Sequence, residues 1–425
     1  MTPRIHSPAR RHQWRSVLAY GAGPALGLLS GPVLARALGP DGRGQFAAVM
    51  QPLTLGSAIA AIGVPTAVTY FVASRSRDVK SAQRLALAIA APFTALVLTA
   101  LAWYATRISA NHGLDTWAVL TAWTLVIASV VIQVRRAAFT GLGDWRRLDA
   151  ERLCFAVTRF LAVCALALLG VTAAMAYVAA ALAAFALAAI ILWLPPAPAQ
   201  DATAKRASAN EFAAYSLAAS TGTIALVCSS RIDQVLMPLQ TTTAQLGYYA
   251  IAVTVAEVPL IFATLAARDT LKLTASGVRI GAALVAVRLY LAGGIAVATV
   301  LGIFAPAYVP WIFGAAFRPS ISAVQILSAA TVLAIGAVAA AAILQGVKRP
   351  GLASLVPLAG FSSTALLFAL SWGAVDARSA AIITVASQAL SLAVGAVLVI
   401  AVGRRRAGPV TTGTQSSRAN TGGRL

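Results

Sequence analysis

Stretches of about 20 predominantly apolar residues recur along the whole chain, and each is long enough to cross a hydrocarbon core of about 30 Å as a helix. They fall at 17–37, 45–73, 85–106, 114–134, 153–171, 173–194, 212–239, 245–267, 283–305, 322–346, 351–372 and 379–402, which makes twelve expected spans. Only 11% of the 425 residues are charged, against about 25% in soluble domains. A chain of this kind is an all-α integral membrane protein.

The net charge is +21, which in a soluble protein would suggest a nucleic-acid partner. Placing each Lys and Arg on alternate sides of the twelve windows gives another reason for it. One side collects 26 basic residues and the other six (Arg36, Arg43, Arg107, Arg231, Arg318 and Arg378), with Arg159 inside a span. Cytoplasmic loops are enriched in Lys and Arg, so both termini are expected in the cytoplasm, in the inner membrane of the cell. No nucleic acid is needed to explain the charge. The run 17–37 follows Arg10, Arg11 and Arg15 but exceeds the hydrophobic region of a cleaved signal, about 7–15 residues. It reads as a retained first span.

Expected boundaries follow from composition. A basic tail covers 1–16, a first six-span lobe 17–196, a cytoplasmic linker 197–210, a second lobe 211–402 and a disordered polar tail 403–425. Leu38–Ala47 and Leu239–Ala250 are faintly alike, as are the stretches around Gly141 and Gly346; the offsets from Gly44 to Gly247 and from Gly141 to Gly346 are 203 and 205 residues. This predicts a duplicated six-span unit. Cys154, Cys164 and Cys228 lie in apolar runs and His6, His12 and His112 are scattered, so neither a disulfide framework nor a metal site is expected.

Between the first two windows, Gly39, Pro40, Gly42 and Gly44 predict a reversal over 34–46. Its sequence, Leu34-Ala-Arg-Ala-Leu-Gly-Pro-Asp-Gly-Arg-Gly-Gln-Phe46, resembles the first loop of polysaccharide flippases of the multidrug/oligosaccharidyl-lipid/polysaccharide exporter superfamily. Further motifs resemble the same family in the same order: Ile62-Gly-Val-Pro-Thr-Ala-Val-Thr-Tyr70, Arg231-Ile-Asp-Gln-Val-Leu-Met237, Leu246-Gly-Tyr-Tyr-Ala-Ile-Ala252 and Trp311-Ile-Phe-Gly-Ala-Ala-Phe317. The resemblance implies two pseudo-symmetric six-helix lobes in a V-shaped bundle, like that of the related multidrug (MATE) exporters. It implies cargo consisting of a polyprenyl-pyrophosphate saccharide moved outward by alternating access. It further implies a monomer in the bilayer that works alongside a polysaccharide polymerase or glycosyltransferases. No cofactor is expected beyond coupling to a proton or sodium gradient or to the membrane potential.

Such cargo needs cations for its pyrophosphate, and arginine binds phosphate oxygens bidentately while staying charged. Arg36 and Arg43 flank the reversal; each either touches cargo or anchors the lip, Arg36 by snorkelling and Arg43 by pairing with Asp41. Arg159, about 9 Å into its window, either snorkels to the surface or faces a cavity. In the seventh window, which also holds Asp233, a polar stripe of Ser216, Ser220, Thr223, Ser230 and Gln234 adjoined by Arg231 suits a lumen or interhelical hydrogen bonds. Glu257 is expected near the midplane, either pairing with an arginine, carrying a coupling ion, or remaining protonated as a structural residue. Pro259 is expected to kink its helix. Gly23, Gly27 and Gly31 predict a close packing face on the first span.

The rival within the superfamily is a cation-coupled multidrug exporter, whose coupling usually relies on an acid in the first span; 17–37 contains none. A membrane-embedded polymerase or glycosyltransferase would need acids or arginines on sizeable outer loops. Here the longest is about 305–321, and no nucleophile–base constellation marks an enzyme.

Overall fold

The computed structural model describes residues 10–194, 207–278 and 280–407; the side chains of residues 10–21, 24, 221, 223 and 405–407 lie outside the description. The expected linker and both distal tails therefore fall largely outside it. Among the described residues the chain is helical, with no strand. The first half holds α1 (Arg10–Ala60), α2 (Val64–Ala73), α3 (Val79–His112), α4 (Thr116–Trp123), α5 (Leu125–Leu142), α6 (Trp145–Leu168) and α7 (Ala174–Ala189). The second holds α8 (Ala209–Leu236), α9 (Thr243–Ala256), α10 (Ile261–Ala275), α11 (Ile280–Phe313), α12 (Ile321–Gly346), α13 (Pro350–Leu370) and α14 (Ala377–Ala407).

At 51 residues α1 would be about 77 Å long, far beyond a bilayer core. It is two helices meeting at Gly39, where φ is 64°. The chain doubles back there, since Gly23 lines the same pocket as Met50, Leu53 and Ser57. The expected reversal over 34–46 is thus confined to one residue. Glycine supplies the left-handed turn that ends one helix, and Pro40 begins the next at the position where its missing N–H costs nothing. Helix begins by Arg10 and continues to Ala407, so part of each expected tail is helical.

Seven helices are long and apolar enough to cross a membrane, and counting each of three bent pairs as one span raises the number to ten. Two features separate this count from the expected twelve. Both arms of α1 fall in one bent pair, and α6 carries Arg146, Arg147, Asp149, Glu151, Arg152 and Arg159.

Two main cores form, one drawn mostly from each half, with Phe212 joining the first and Ala35, Ala47 and Ala48 the second. Val68, Ala105, Trp123, Val130 and Tyr177 belong to one, and Tyr249, Val309, Phe368 and Ala380 to the other. They echo each other in detail. The span formed by α1 and α2 bends by 48° and the span formed by α9 and α10 by 46°. The second break comes at residues 257–260, as Pro259 led one to expect. Gly141 packs so closely on α2 that a Cβ there would meet the Thr69 carbonyl oxygen at 2.9 Å; Gly346 packs in the same way on α10 against Thr274. These contacts recur at the 205-residue offset of the sequence repeat.

Four of the 12 acidic residues are spent on helix starts. Asp78, Asp115, Asp144 and Asp376 accept backbone N–H groups of the first turns of α3, α4, α6 and α14. In the first lobe Glu151, fully buried, pairs with Arg136, whose Nε donates to Oε2 at 3.0 Å. Removing one partner of a buried pair typically costs about 3–5 kcal/mol, because the other charge is stranded. Arg136→Ala is therefore expected to lower the melting temperature in detergent more than Arg152→Ala, whose contact to Asp149 is longer and more exposed. Replacing Arg136 and Glu151 together with Met and Leu should restore part of the loss.

Candidate functional site

The lobes close on each other at the Gly39 end. Gly44 and Gly247 face the opposite lobe at backbone distance: a Cβ on Gly44 would lie 1.9 Å from the Thr243 carbonyl oxygen, and one on Gly247 would lie 2.0 Å from that of Pro40. The two contacts are related by the 203-residue offset. Around them the Thr243 hydroxyl donates to Asp41 at 2.6 Å, and Arg36 donates from Nε to the Ile312 carbonyl at 2.9 Å and from Nη2 to that of Trp311. The Tyr104 hydroxyl donates to the Val235 carbonyl at 2.6 Å, and His112 Nε2 lies 2.7 Å from that of Pro238. Arg36 thus satisfies carbonyls left open where α11 ends. Arg43 does not pair with Asp41, whose carboxylate is taken by Thr243.

Beneath this closed end four of the singled-out charges converge. Arg231 Nη2 binds Glu257 Oε1 at 2.9 Å, with both side chains partly open to a cavity of about 890 Å³ in the second lobe. Arg43, from α1, reaches Thr254 at 3.4 Å and lies 5.6 Å from the Phe46 ring centroid. Arg159, from α6, is near enough to interact electrostatically with Arg43 and Glu257. Its Nε and that of Arg43 are buried without hydrogen-bond partners among the described residues. One carboxylate therefore stands among three guanidiniums, two of them reaching in from the opposite lobe. Glu257 sits at the break between α9 and α10, so its ion pair ties the hinge of one bent span to α8.

Arg159 lies 14 residues after the start of α6, about 21 Å along the helix, and seven residues beyond Arg152, the last of the charged residues in its first turns. The polar stripe is divided. α8 bends by 45° between Ser220 and Ile224; Ser230 and Gln234 line the cavity, whereas Ser216 and Ser220 are buried against α2 at Gly63. The Thr223 side chain lies outside the description. A Cβ added at Gly23 or Gly27 would meet no described atom within 4 Å, so only Gly31, against Thr254, makes the expected close contact.

Asp233 is only 8% exposed and accepts from the Tyr249 hydroxyl, which lies 2.9 Å from the Thr384 hydroxyl. Neither Tyr249 nor Thr384 stood out in the sequence, because single tyrosines and threonines are common in spans. The signal in the sequence is an acid within an apolar window, which needs a partner once it is buried.

The lobes also meet along one flank at the other end. Tyr70 stacks on Tyr215 with centroids 4.7 Å apart, Phe71 on Phe212 at 5.1 Å, and the Ala207 carbonyl accepts from Arg77 at 2.7 Å. The pseudo-symmetric flank, between α10 and the first arm of α1, shows no comparable seam among the described residues.

Solved structures share this fold. An inward-facing multidrug resistance MATE family transporter of the MOP superfamily is 15% identical, with a TM-score of 0.70 over 92% of this chain and 98% of that one. The lipid II flippase MurJ in an inward closed conformation is 10% identical, with a TM-score of 0.72 over 91% and 87%. An outward-facing MATE family transporter scores lower, at 0.59 with 15% identity over 93% and 94%. These neighbours are transporters and a flippase rather than enzymes. No curated protein matches the sequence. Residues 33–277, more than half of the chain and every residue of the charged cluster, match the family described as polysaccharide biosynthesis protein, and the chain is a member of that family.

Proposed function

We propose that this protein moves a polyprenyl-pyrophosphate-linked saccharide from the cytoplasmic to the outer leaflet by alternating access, for cell-surface polysaccharide biosynthesis. The observation that carries the reading is the convergence of Arg43, Arg159 and Arg231 on a single carboxylate. The cluster holds two more cations than anions in a place where an unpaired charge is costly, and a pyrophosphate arriving among them would restore balance with charge-assisted hydrogen bonds. Membership of a polysaccharide biosynthesis family supports the saccharide, and a neighbour of the same fold is a lipid II flippase. The excess of 26 basic residues over six supports an outer position for the closed Gly39 end. The flank between α1 and α10 gives the lipid tail a lateral path. Glu257, released from Arg231 when cargo arrives, is the group suited to carry a coupling proton or sodium ion.

Depleting the protein from cells should make lipid-linked saccharide accumulate in the cytoplasmic leaflet; unchanged leaflet distribution overturns the reading. Glu257→Gln is expected to slow transport and to abolish its dependence on an ion gradient. If transport and its ion dependence were both unchanged, the coupling role would be lost.

A further inference from the structure

The second-lobe cavity continues beyond the ion pair, between α8, α12, α13 and α14, as far as the α12–α13 turn at Pro350 and Gly351. Its charge is confined to one end, where Arg231, Asp233 and Glu257 lie. The rest of the wall combines alanines, which leave space between the helices, with neutral amides and hydroxyls. The amides of Gln345 and Gln388 line this space and make no hydrogen bond among the described residues. Asp233 is more than nine-tenths buried, and although one of its oxygens accepts from Tyr249, its Oδ1 has no hydrogen-bond partner among the described residues. A cavity of about 890 Å³ falls within the range of ligand sites, roughly 300–1,000 Å³, which pair mostly apolar walls with a few placed polar groups.

We infer that this cavity receives the first sugar of the cargo and selects an uncharged one. The inference rests on the translocation reading above and adds the place and class of the glycan. Arg231 stands where the cavity meets the arginine cluster, so a pyrophosphate held there puts the attached sugar into the cavity mouth. A sugar hydroxyl supplies the donor that Asp233 Oδ1 lacks, and further hydroxyls serve the donors and acceptors of the glutamine amides. The C–H faces of the ring pack on the alanines. A hydrocarbon tail in the same space would leave the carboxylate and the amides unsatisfied, which is unfavourable. An acidic sugar would bring its carboxylate beside Asp233 and Glu257, and like charges in a poorly solvated site repel.

The test uses the purified full-length protein in detergent and three probes: a polyprenyl diphosphate alone, the same lipid carrying one neutral hexose, and the same lipid carrying one hexuronic acid. The hexose is expected to tighten binding roughly tenfold or more over the bare lipid, the worth of one or two net hydrogen bonds, and the hexuronic acid not at all. Gln388→Leu should remove most of the hexose increment, and Asp233→Asn should let the hexuronic acid bind more tightly. Should Asp233→Asn fail to fold, Gln388→Leu carries the same test, since its amide has no partner to lose. Equal binding of all three probes overturns the inference and leaves the translocation reading standing. Failure of all three to bind overturns that reading instead.

Discussion

Alanine in place of Gly44 is expected to hold the protein open at the Gly39 end and to stop transport while leaving both lobes folded. The added Cβ would lie 1.9 Å from the Thr243 carbonyl oxygen, and real Cβ contacts do not fall below 3.0 Å, so the facing backbones must part by about 1 Å. No rotamer change relieves this, because both partners are main chain. The displacement would also pull Thr243 from Asp41 and strain the hold of Arg36 on the end of α11. Gly247→Ala should act alike through Pro40. By contrast Gly27→Ala, which meets no described atom within 4 Å, should be tolerated. The check is a single cysteine in place of Thr254, beneath the contact, in a chain with Cys154, Cys164 and Cys228 replaced. A membrane-impermeant maleimide added from outside should label it roughly tenfold faster or more in the Gly44→Ala background, as expected if about 1.4 kcal/mol of closing free energy is lost. Equal labelling rates would show that the glycine contact does not control closure.

The second large effect concerns the arginines. Arg159→Ala and Arg43→Ala are each expected to weaken binding of a polyprenyl diphosphate roughly 10–100-fold, since a hydrogen bond to a charged group contributes about 1.5–3 kcal/mol. Arg36→Ala should change that affinity by less than about threefold, because its guanidinium is already engaged by main-chain carbonyls and its loss belongs to closure rather than to cargo. Arg→Lys variants add a geometric test: a lysine keeps the charge but not the planar fork, so only partial rescue is expected at a bidentate site. Equal losses at Arg36 and Arg159 would remove the distinction between a closing residue and a cargo residue.

Much of this arrangement was legible in the sequence because charge is scarce in spans. Arg43, Arg159, Arg231 and Glu257 stand out in apolar surroundings, and each proves to belong to the cluster. The pairing was not legible. The four residues lie on α1, α6, α8 and the α9–α10 break, and nothing local in any of these segments announces which arginine Glu257 takes. Residues two apart on one helix do not face each other, so Arg231 and Asp233 take different partners. Their separate partners, Glu257 and Tyr249, are tertiary facts. Periodicity misled where a helix bends: the serines of α8 share a stripe on a straight helix, but the 45° break turns Ser216 and Ser220 toward α2 and leaves Ser230 and Gln234 on the cavity. Small-residue spacing misled at Gly23 and Gly27, because a glycine face favours close packing only when another helix is there to meet it.

The flank closed by Tyr70, Tyr215, Phe71 and Phe212 is also where the second lobe's chain begins, with Ala207 hydrogen-bonded to Ser76 and Arg77. The opposite flank has no such fastening among the described residues. The described part of the molecule therefore has a left and a right side, although its halves are built to one plan. On the translocation reading proposed above, loading from one flank would fix the side from which cargo is handed over. Two such proteins lying side by side would interfere or cooperate according to which flanks they turned to each other.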